Sequence, residues 1–336
     1  NSSFGGNTLL SNTTGYSNSV FGSSSMRLNT DGYDNSAFGV ASLFNNTTGY
    51  QNCTFGNNSL FFNQTGTGNT AMGYQTLFNN TSSSNSGFGS HALYFNTTGS
   101  YNSAFGLVSL YHNGSGNENC AFGVNSLFFN NSGNSNTAVG YQSLFTNNAS
   151  NNSAFGSNSL YSNAGGSNNS AFGLGSLYKN TTGNDNSAFG TNSLYNNIGG
   201  YRNTSLGSGS LLSNTTGYLN TALGYQSGSI ITNGYNLTLI GSNAQPSSGS
   251  AFDQITIGNN TVSSLRCNVQ TITSLSDMRD KKNIKELSLG LDFITKLHPR
   301  QFNWDKREWY DDNISDGSKM KDAPTAGFIA QELDSA

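Results

Sequence analysis

Charged side chains are the scarcest feature of this chain. Only 9% of its 336 residues are charged, and the formal net charge is −3, whereas an ordinary soluble domain carries roughly 25% charged residues. This composition provides no basic surface for phosphate groups, so we do not expect nucleic acid as a partner. No apolar run approaches the roughly 20 residues of a membrane-spanning helix, so membrane insertion is not expected either.

The residues that build metal sites and hydrolytic sites are also few. The three histidines, His91, His112 and His298, are scattered and lack the spacing of metal ligands. The repeats contain no clustered carboxylates of the kind that forms a glycosidase pair. The glycines at Gly66–Gly68 precede no helix pattern, so they do not form a phosphate-binding loop. We therefore expect no metal and no cofactor.

Repetition is what the chain has in abundance. The pentapeptide NSAFG at Asn35 returns at Asn102, Asn152, Asn169 and Asn186, within a series of fourteen units whose steps are 17 residues, with two steps of 16. The leading asparagines of these units are Asn1, Asn18, Asn35, Asn52, Asn69, Asn85, Asn102, Asn119, Asn136, Asn152, Asn169, Asn186, Asn203 and Asn220. Fourteen units in phase indicate a solenoid and argue against low-complexity disorder.

Each unit has the same internal plan. A large apolar residue, usually Phe, stands three residues after the leading Asn, Gly follows it, and Leu stands eight residues after the Asn in nearly every unit. A turn-like NTTG or a variant of it closes the unit, and the abundance of Gly, Asn, Ser and Thr disfavours helix. We expect two short extended stretches per unit, Asn-Ser-Ala-Phe and Ser-Leu-aromatic. In the first, Ser and Phe should face one side, and Asn and Ala the other.

These units predict an all-β fold. Stacked coils would pair their strands in parallel at about 4.8 Å per coil, and about fifteen coils would form a parallel β-solenoid roughly 70 Å long. At that spacing Cys53 and Cys120, four coils apart, are about 19 Å from each other, too far for a disulfide. The sequons at Asn46, Asn96 and Asn214 would be glycan acceptors in a eukaryotic secretory setting and only turn residues elsewhere.

In most units the residue directly after the recurring Leu is aromatic, and we call this row of residues the aromatic stripe. If Leu lines the interior, these side chains point outwards, because adjacent strand residues face opposite ways. Two interpretations remain: an interface along which several rods pack, or a stripe partly covered by neighbouring turns. Its members are Phe44, Phe61, Phe78, Tyr94, Tyr111, Phe128, Phe145, Tyr161, Tyr178 and Tyr195.

The charges divide the chain into regions. Residues 1–275 hold only 9 charged side chains, whereas residues 276–336 hold 22. This change in composition predicts a domain boundary near Ser276. We expect a solenoid over 1–241, a β-structured linker over 242–275 and a separate C-terminal domain over 276–336.

Two resemblances carry the functional hypotheses. NTAVGYQSL at Asn136–Leu144 and NTALGYQS at Asn220–Ser227 resemble the β-roll heads of trimeric surface adhesins and the repeats of viral fibre proteins, although those adhesin coils are shorter. SDMRDKKNI at Ser276, followed by LDFITKLHPRQFNW and AGFIAQEL, resembles the peptidase S74 domain, the intramolecular chaperone of endosialidase found at the ends of phage tail spikes and fibres. The family domain is α+β and runs further than Ala336, so we expect a C-terminal truncation.

The second resemblance implies trimerisation and self-cleavage. In that family the cut precedes the serine of the motif, here the Leu275–Ser276 bond. The resemblance makes Ser276 the nucleophile and Lys281 its base, with Asp277 and Arg279 in support; a lysine of lowered pKa can accept the proton of a serine hydroxyl. Taken without the resemblance, Ser276 is better explained as a helix or turn cap.

The hypothesis that follows is a homotrimeric fibre protein of a phage or virus. It would be located in the virion and would bind a host-surface receptor, with glycans among the candidate ligands. The alternative is a cell-surface adhesin or extracellular filament that carries the same C-terminal domain. Any enzymatic activity would be the single-turnover self-cleavage.

Overall fold

The computed structural model describes residues 1–265, 299–303, 305, 316–320, 322 and 324–327. Two compact units are present, Asn1–Leu265 and Arg266–Ala336. The first is a parallel β-solenoid, in agreement with the all-β fold expected from the repeats. The described residues carry no helix, and the helices expected in the C-terminal segment would fall outside them.

One short strand from every coil builds a sixteen-stranded parallel sheet, in which each strand pairs with the next one along the chain. Identical positions face each other across the ladder, as in Ala104 against Ala121 and Phe105 against Phe122. The strands are β1 Ser2–Phe4, β2 Ser19–Phe21, β3 Ser36–Phe38, β4 Cys53–Phe55, β5 Thr70–Met72, β6 Ser86–Phe88, β7 Ser103–Phe105, β8 Cys120–Phe122, β9 Thr137–Val139, β10 Ser153–Phe155, β11 Ser170–Phe172, β12 Ser187–Phe189, β13 Thr204–Leu206, β14 Thr221–Leu223, β15 Tyr235–Ile240 and β16 Phe252–Ile257.

The core inside the coils is narrow and built from small rungs. The conserved leucines, such as Leu110 and Leu127, are fully buried, as are the strand alanines Ala104 and Ala121. A conserved serine also points inwards, and the hydroxyl of Ser109 donates to the carbonyl oxygen of Gly106 at 3.0 Å. Because each coil contributes only one large apolar side chain to the core, its stability depends on the coils above and below.

Two ladders of buried asparagines run along the solenoid beside the leucines. In the first, the side-chain nitrogen of the leading Asn119 donates to Oδ1 of Asn102 at 3.1 Å. In the second, formed by the Asn of each NTTG-type turn, Nδ2 of Asn130 donates to Oδ1 of Asn113 at 2.8 Å. Both ladders converge on one carbonyl oxygen per coil: Gly133 O accepts from Asn119 at 2.9 Å and from Asn130 at 2.8 Å. These bonds satisfy amides that would otherwise destabilise the core.

Two coils have 16 residues instead of 17, and the missing residue is absent from this turn. Ser82 takes the place of the glycine, and its carbonyl oxygen accepts from Asn69 at 2.9 Å and from Asn80 at 2.7 Å. Ala149 does the same in the other short coil. The second ladder is interrupted between the first short coil and the coil before it, because Oδ1 of Asn63 in that preceding coil is buried without a hydrogen-bond partner. The deletion therefore shortens the turn and leaves the strand register intact.

The glycine that ends each strand is required by close approach. Gly106 has φ +136, and a Cβ placed on it would lie 2.6 Å from the carbonyl oxygen of Gly123 in the next coil. Real Cβ atoms do not come so close to a backbone oxygen, and side chains rarely adopt this backbone conformation. The invariant glycine of the repeat thus sets the spacing between coils.

The second extended stretch expected in each unit is not a strand. The segment around each conserved leucine forms turns, and Leu127 itself has φ +49. A leucine in the left-handed region is uncommon, and here it holds the side chain inside while the chain turns around it. The exceptions are isolated parallel bridges that join Phe129 to His112 and to Thr146.

The parallel ladder continues past the end of the recognisable repeats. β15 and β16 are each six residues long and pair over Tyr235–Ile240 and Phe252–Ile257. The solenoid thus includes a coil beyond Gly241, where the sequence pattern predicted a linker to begin. The residues of the predicted linker from 266 to 275 lie outside the described part of the chain.

Candidate functional site

The predicted self-cleavage site lies outside the described residues. This applies to Ser276, Asp277, Arg279 and Lys281, and to the Leu275–Ser276 bond. Their mutual geometry is therefore not part of the structure, and their roles remain predictions from the motif.

Two strands are described in the C-terminal unit, and both belong to the quoted motifs. β17 spans Arg300–Phe302 and β18 spans Thr325–Gly327. They pair antiparallel, with Gln301 opposite Ala326. Residues 300–302 of the first motif and 326–327 of the second, separated in sequence, are thus neighbours in one small sheet.

A continuous apolar feature of the solenoid surface is the row of side chains three residues after each leading Asn, continued by the matching positions of β15 and β16, which we call the apolar ladder. Its rings stack from coil to coil, with centroids 4.5 Å apart for Phe88 and Phe105 and 4.8 Å apart for Phe172 and Phe189. The ladder consists of Phe4, Phe21, Phe38, Phe55, Met72, Phe88, Phe105, Phe122, Val139, Phe155, Phe172, Phe189, Leu206, Leu223, Ile240 and Ile257.

The side chains of the ladder face solvent, as expected for the Ser and Phe positions of the strand. Phe55 is 59% exposed and Phe122 is 39% exposed. Five of the sixteen rungs are half-buried by the rungs next to them: Phe88, Phe105, Val139, Phe155 and Phe172. Exposed apolar residues two positions further on, such as Val40 and Leu107, broaden this face. The ladder is therefore an apolar strip that follows the whole solenoid.

The aromatic stripe is less exposed than the apolar ladder. Its rings, from Phe44 to Tyr195, stack with centroids 5.0–5.3 Å apart, and every member is half-buried. Burial by neighbouring residues raises the pKa of Tyr94. Of the two interpretations of this stripe, the structure favours coverage by neighbouring coils.

A short aromatic cluster, the lateral patch, lies beside the stripe on three successive coils. It consists of Phe95, His112 and Phe129, whose rings stack with centroids 4.9 Å and 5.0 Å apart. Burial between these rings lowers the pKa of His112, because an imidazolium is poorly solvated there. The sequence pattern did not single out this cluster, since it interrupts the repeat rather than following it.

The predicted glycan acceptors lie in the interior of the solenoid. Asn46, Asn96 and Asn214 are fully buried members of the second asparagine ladder. Nδ2 of Asn96, for example, donates to Oδ1 of Asn80 at 2.6 Å and to Gly99 O at 2.8 Å. A glycan on this nitrogen has no room in the folded coil, so these three sequons serve the structure.

Ionic and thiol chemistry is sparse over the described residues. Arg202 Nε lies 4.0 Å from Asp185 Oδ2 on the surface, an exposed pair of little energetic value. Cys53 and Cys120 are free thiols, and burial raises the pKa of Cys120, which keeps it in its less reactive thiol form.

No group of metal-binding side chains was found in this part of the chain. The search of these residues for a helix able to span a membrane found none.

Comparison with known proteins gives one match. Neither the curated proteins nor the solved structures gave a match to the chain. The family model described as chaperone of endosialidase, Peptidase S74, matches residues 276–336, the segment that contains β17 and β18. The chain therefore combines a parallel β-solenoid with a C-terminal chaperone-of-endosialidase domain.

Proposed function

We propose that this chain is the shaft of a homotrimeric fibre of a phage or virus, which attaches the particle to a receptor on the host surface. The observation that carries the proposal is the order of the two parts: a sixteen-stranded solenoid is followed by a chaperone-of-endosialidase domain. A chaperone fused to the end of a β-structured rod is suited to assembling that rod.

The solenoid has a folding problem that such a chaperone would solve. Its coils are nearly identical, with Ala104 paired to Ala121 and Phe105 to Phe122, as in most neighbouring coils. When several chains associate, a shift by one coil therefore costs little per contact, and the register between chains is weakly specified. A C-terminal domain that aligns three chains before the coils associate would fix that register.

Self-cleavage would then make assembly hard to reverse. We assign the nucleophile to Ser276 and the base to Lys281, with the cut at Leu275–Ser276, on the basis of the motif SDMRDKKNI. Once the chaperone has left, a trimer that unfolds would not regain its register, so the fibre would be stabilised kinetically.

The alternative is an adhesin or extracellular filament of a cell, favoured by the likeness of NTAVGYQSL to adhesin heads. Immunogold electron microscopy on the native source separates the two functions. Antibody raised against the solenoid should label virion tails or capsid fibres, and antibody pre-absorbed with the purified solenoid should not. Label on cell envelopes or free filaments would contradict the viral function and favour the adhesin.

A further inference from the structure

We propose that the apolar ladder is the surface by which copies of this chain pack against each other, parallel and in register, around a common axis. The inference rests on the trimeric shaft proposed above and identifies the face that forms it. The aromatic stripe, for which the sequence left this role open, is half-buried within its own chain at every member.

The exposed area of the ladder is large enough for a stable interface. An aromatic side chain has about 200 Å² of surface, and the ladder residues Phe38 and Phe122 are 37% and 39% exposed. Sixteen rungs therefore leave on the order of 1,000 Å² of apolar surface open to solvent on each chain. The largest patch on a typical monomer is about 300–600 Å², and a standard interface buries about 800 Å² per partner.

The distribution of charge favours a second copy of this chain as the occupant. In the fourteen coils that begin with an Asn, no charged residue lies within the eight residues after it, the stretch that contains the strand, the glycine and the buried leucine. The one charge on a strand of this region is Asp253, near the start of β16 and four residues before the ladder residue Ile257. The charged residues of this region are Arg27, Asp31, Asp34, Glu118, Lys179, Asp185, Arg202 and Asp253. In a parallel, in-register assembly each residue faces its own equivalent, so any charge on the contact face would meet a like charge.

The period of the ladder points to the same occupant. The rungs repeat once per coil along the whole sheet, with ring centroids 4.5 Å apart for Phe105 and Phe122 and 4.7 Å apart for Phe155 and Phe172. A partner that fills the grooves between sixteen such rungs must present apolar groups at the same spacing over about 75 Å. Another copy of the solenoid meets that requirement rung by rung.

Hydroxyl-radical footprinting of the unmodified full chain tests the assignment without a substitution. Phe38, Phe122 and Phe189 on the ladder are 37%, 39% and 38% exposed, and three phenylalanines off the ladder, Phe62, Phe95 and Phe129, are 43%, 39% and 42% exposed. In the assembled protein, the three ladder phenylalanines should be oxidised several-fold more slowly than the three controls.

Light scattering on the same sample distinguishes a wrong face assignment from a wrong oligomeric state. If the mass is that of a trimer and both sets of phenylalanines are oxidised equally fast, the face assignment is overturned and the proposed trimer stands. If the mass is that of a single chain, the trimer is overturned and the interface with it.

A cross-linking experiment tests orientation and register. Cys53 is exposed and lies on β4, two residues before the ladder residue Phe55. In a chain carrying Cys120→Ser and Cys267→Ser, a short bismaleimide should join Cys53 of two copies into a covalent dimer. Cys53 lies in the fourth coil, and in an antiparallel arrangement this coil would lie against the far end of the partner. The two copies of Cys53 would then be too far apart for the reagent. A lack of covalent dimers would therefore overturn parallel, in-register packing.

The control for this experiment moves the thiol off the face. Ser162 is half-buried, in the turn region that follows the aromatic stripe. A chain whose sole cysteine comes from Ser162→Cys should give no covalent dimer. Dimers from this position with none from Cys53 would place the contact on the side of the aromatic stripe instead.

Discussion

The side-chain nitrogen of Asn113 lies 2.6 Å from Oδ1 of Asn96 in the preceding coil and 2.7 Å from the carbonyl oxygen of Gly116. Its own Oδ1 accepts from Asn130 in the following coil at 2.8 Å. One buried amide thus joins three coils and anchors its own turn. Buried amides of this kind make the interior of the solenoid partly polar, and their hydrogen bonds explain why the turn asparagine recurs.

Substitution of Asn113 by aspartate should strongly destabilise the solenoid. Asn113→Asp removes both N–H donors and places a carboxyl oxygen against Oδ1 of Asn96 and the carbonyl oxygen of Gly116. The expected cost is about 3 kcal/mol or more, since a buried group loses its partners and cannot be solvated. Thermal unfolding and amide exchange of the adjoining coils would measure it. Asn192→Asp, at an exposed position, is the matched control, and equal loss in both variants would contradict the prediction.

Substitution of the strand-ending glycine should separate neighbouring coils. Gly106→Ala introduces a Cβ 2.6 Å from the carbonyl oxygen of Gly123, at φ +136, so we expect a loss of about 1–3 kcal/mol from backbone strain, and more from the displaced coil. Gly165→Ala is the control, because its Cβ would lie 3.8 Å from its nearest neighbour, Thr181 O. Denaturant midpoints should fall for the first variant and stay or rise slightly for the second. The reverse order would refute the role given to Gly106.

Replacement of a single core leucine by alanine should lower the free energy of unfolding by as much as it does in a globular protein. Leu127 is fully buried, and Leu127→Ala should lose about 2–5 kcal/mol through lost burial and a residual cavity. Leu28→Ala, at an exposed position, should stay within about 0.5 kcal/mol of the parent. Because a repeat array can unfold in parts, exchange should rise first in the coils around Leu127. Uniform exchange along the rod would argue against a local effect.

The lateral patch should make stability depend on pH. Burial holds the pKa of His112 below its ordinary value of 6.5, so the unfolded chain binds a proton more readily than the folded one. Stability should therefore fall as pH drops through 6.5 towards the folded pKa and level off below it. His112→Phe, which continues the stack between Phe95 and Phe129, should weaken this dependence of the melting temperature on pH. An unchanged slope in the variant would assign the dependence to other groups.

Self-cleavage should require both residues assigned by the motif. Ser276→Ala and Lys281→Ala should each leave the Leu275–Ser276 bond intact, because the nucleophile or its base is missing. Intact mass measurement after expression would show an uncut chain. Ser263→Ala, outside the motif, should be cut like the parent. Cleavage at that bond in either motif variant would contradict the assignment of Ser276 as nucleophile and Lys281 as base.

The sequence predicted the architecture because the repeat itself encodes it. A fixed period of 17 residues, with Asn, Ala, Phe and Gly at constant positions, is compatible with stacked parallel coils, and strand alternation correctly placed Ala37 inside and Phe38 outside. The chaperone domain was also recognisable from its motifs. The assignment of Ser276 and Lys281 to self-cleavage stays a prediction from those motifs, since both residues lie outside the described part of the chain.

The tertiary structure decided what local rules could not. The alternation rule failed around Leu127 because left-handed residues turn the chain without the period of two that a strand imposes. The second asparagine ladder was hidden because a turn asparagine gives the same local signal whether its amide faces solvent or the next coil. Exposure of the aromatic rows depends on rings contributed from 17 residues away, so only the stacked coils reveal that every member of the aromatic stripe is half-buried while most rungs of the apolar ladder are exposed. The period of the sequence determines which residues lie above one another, and the three-dimensional path of the coil determines which of those rows face the solvent.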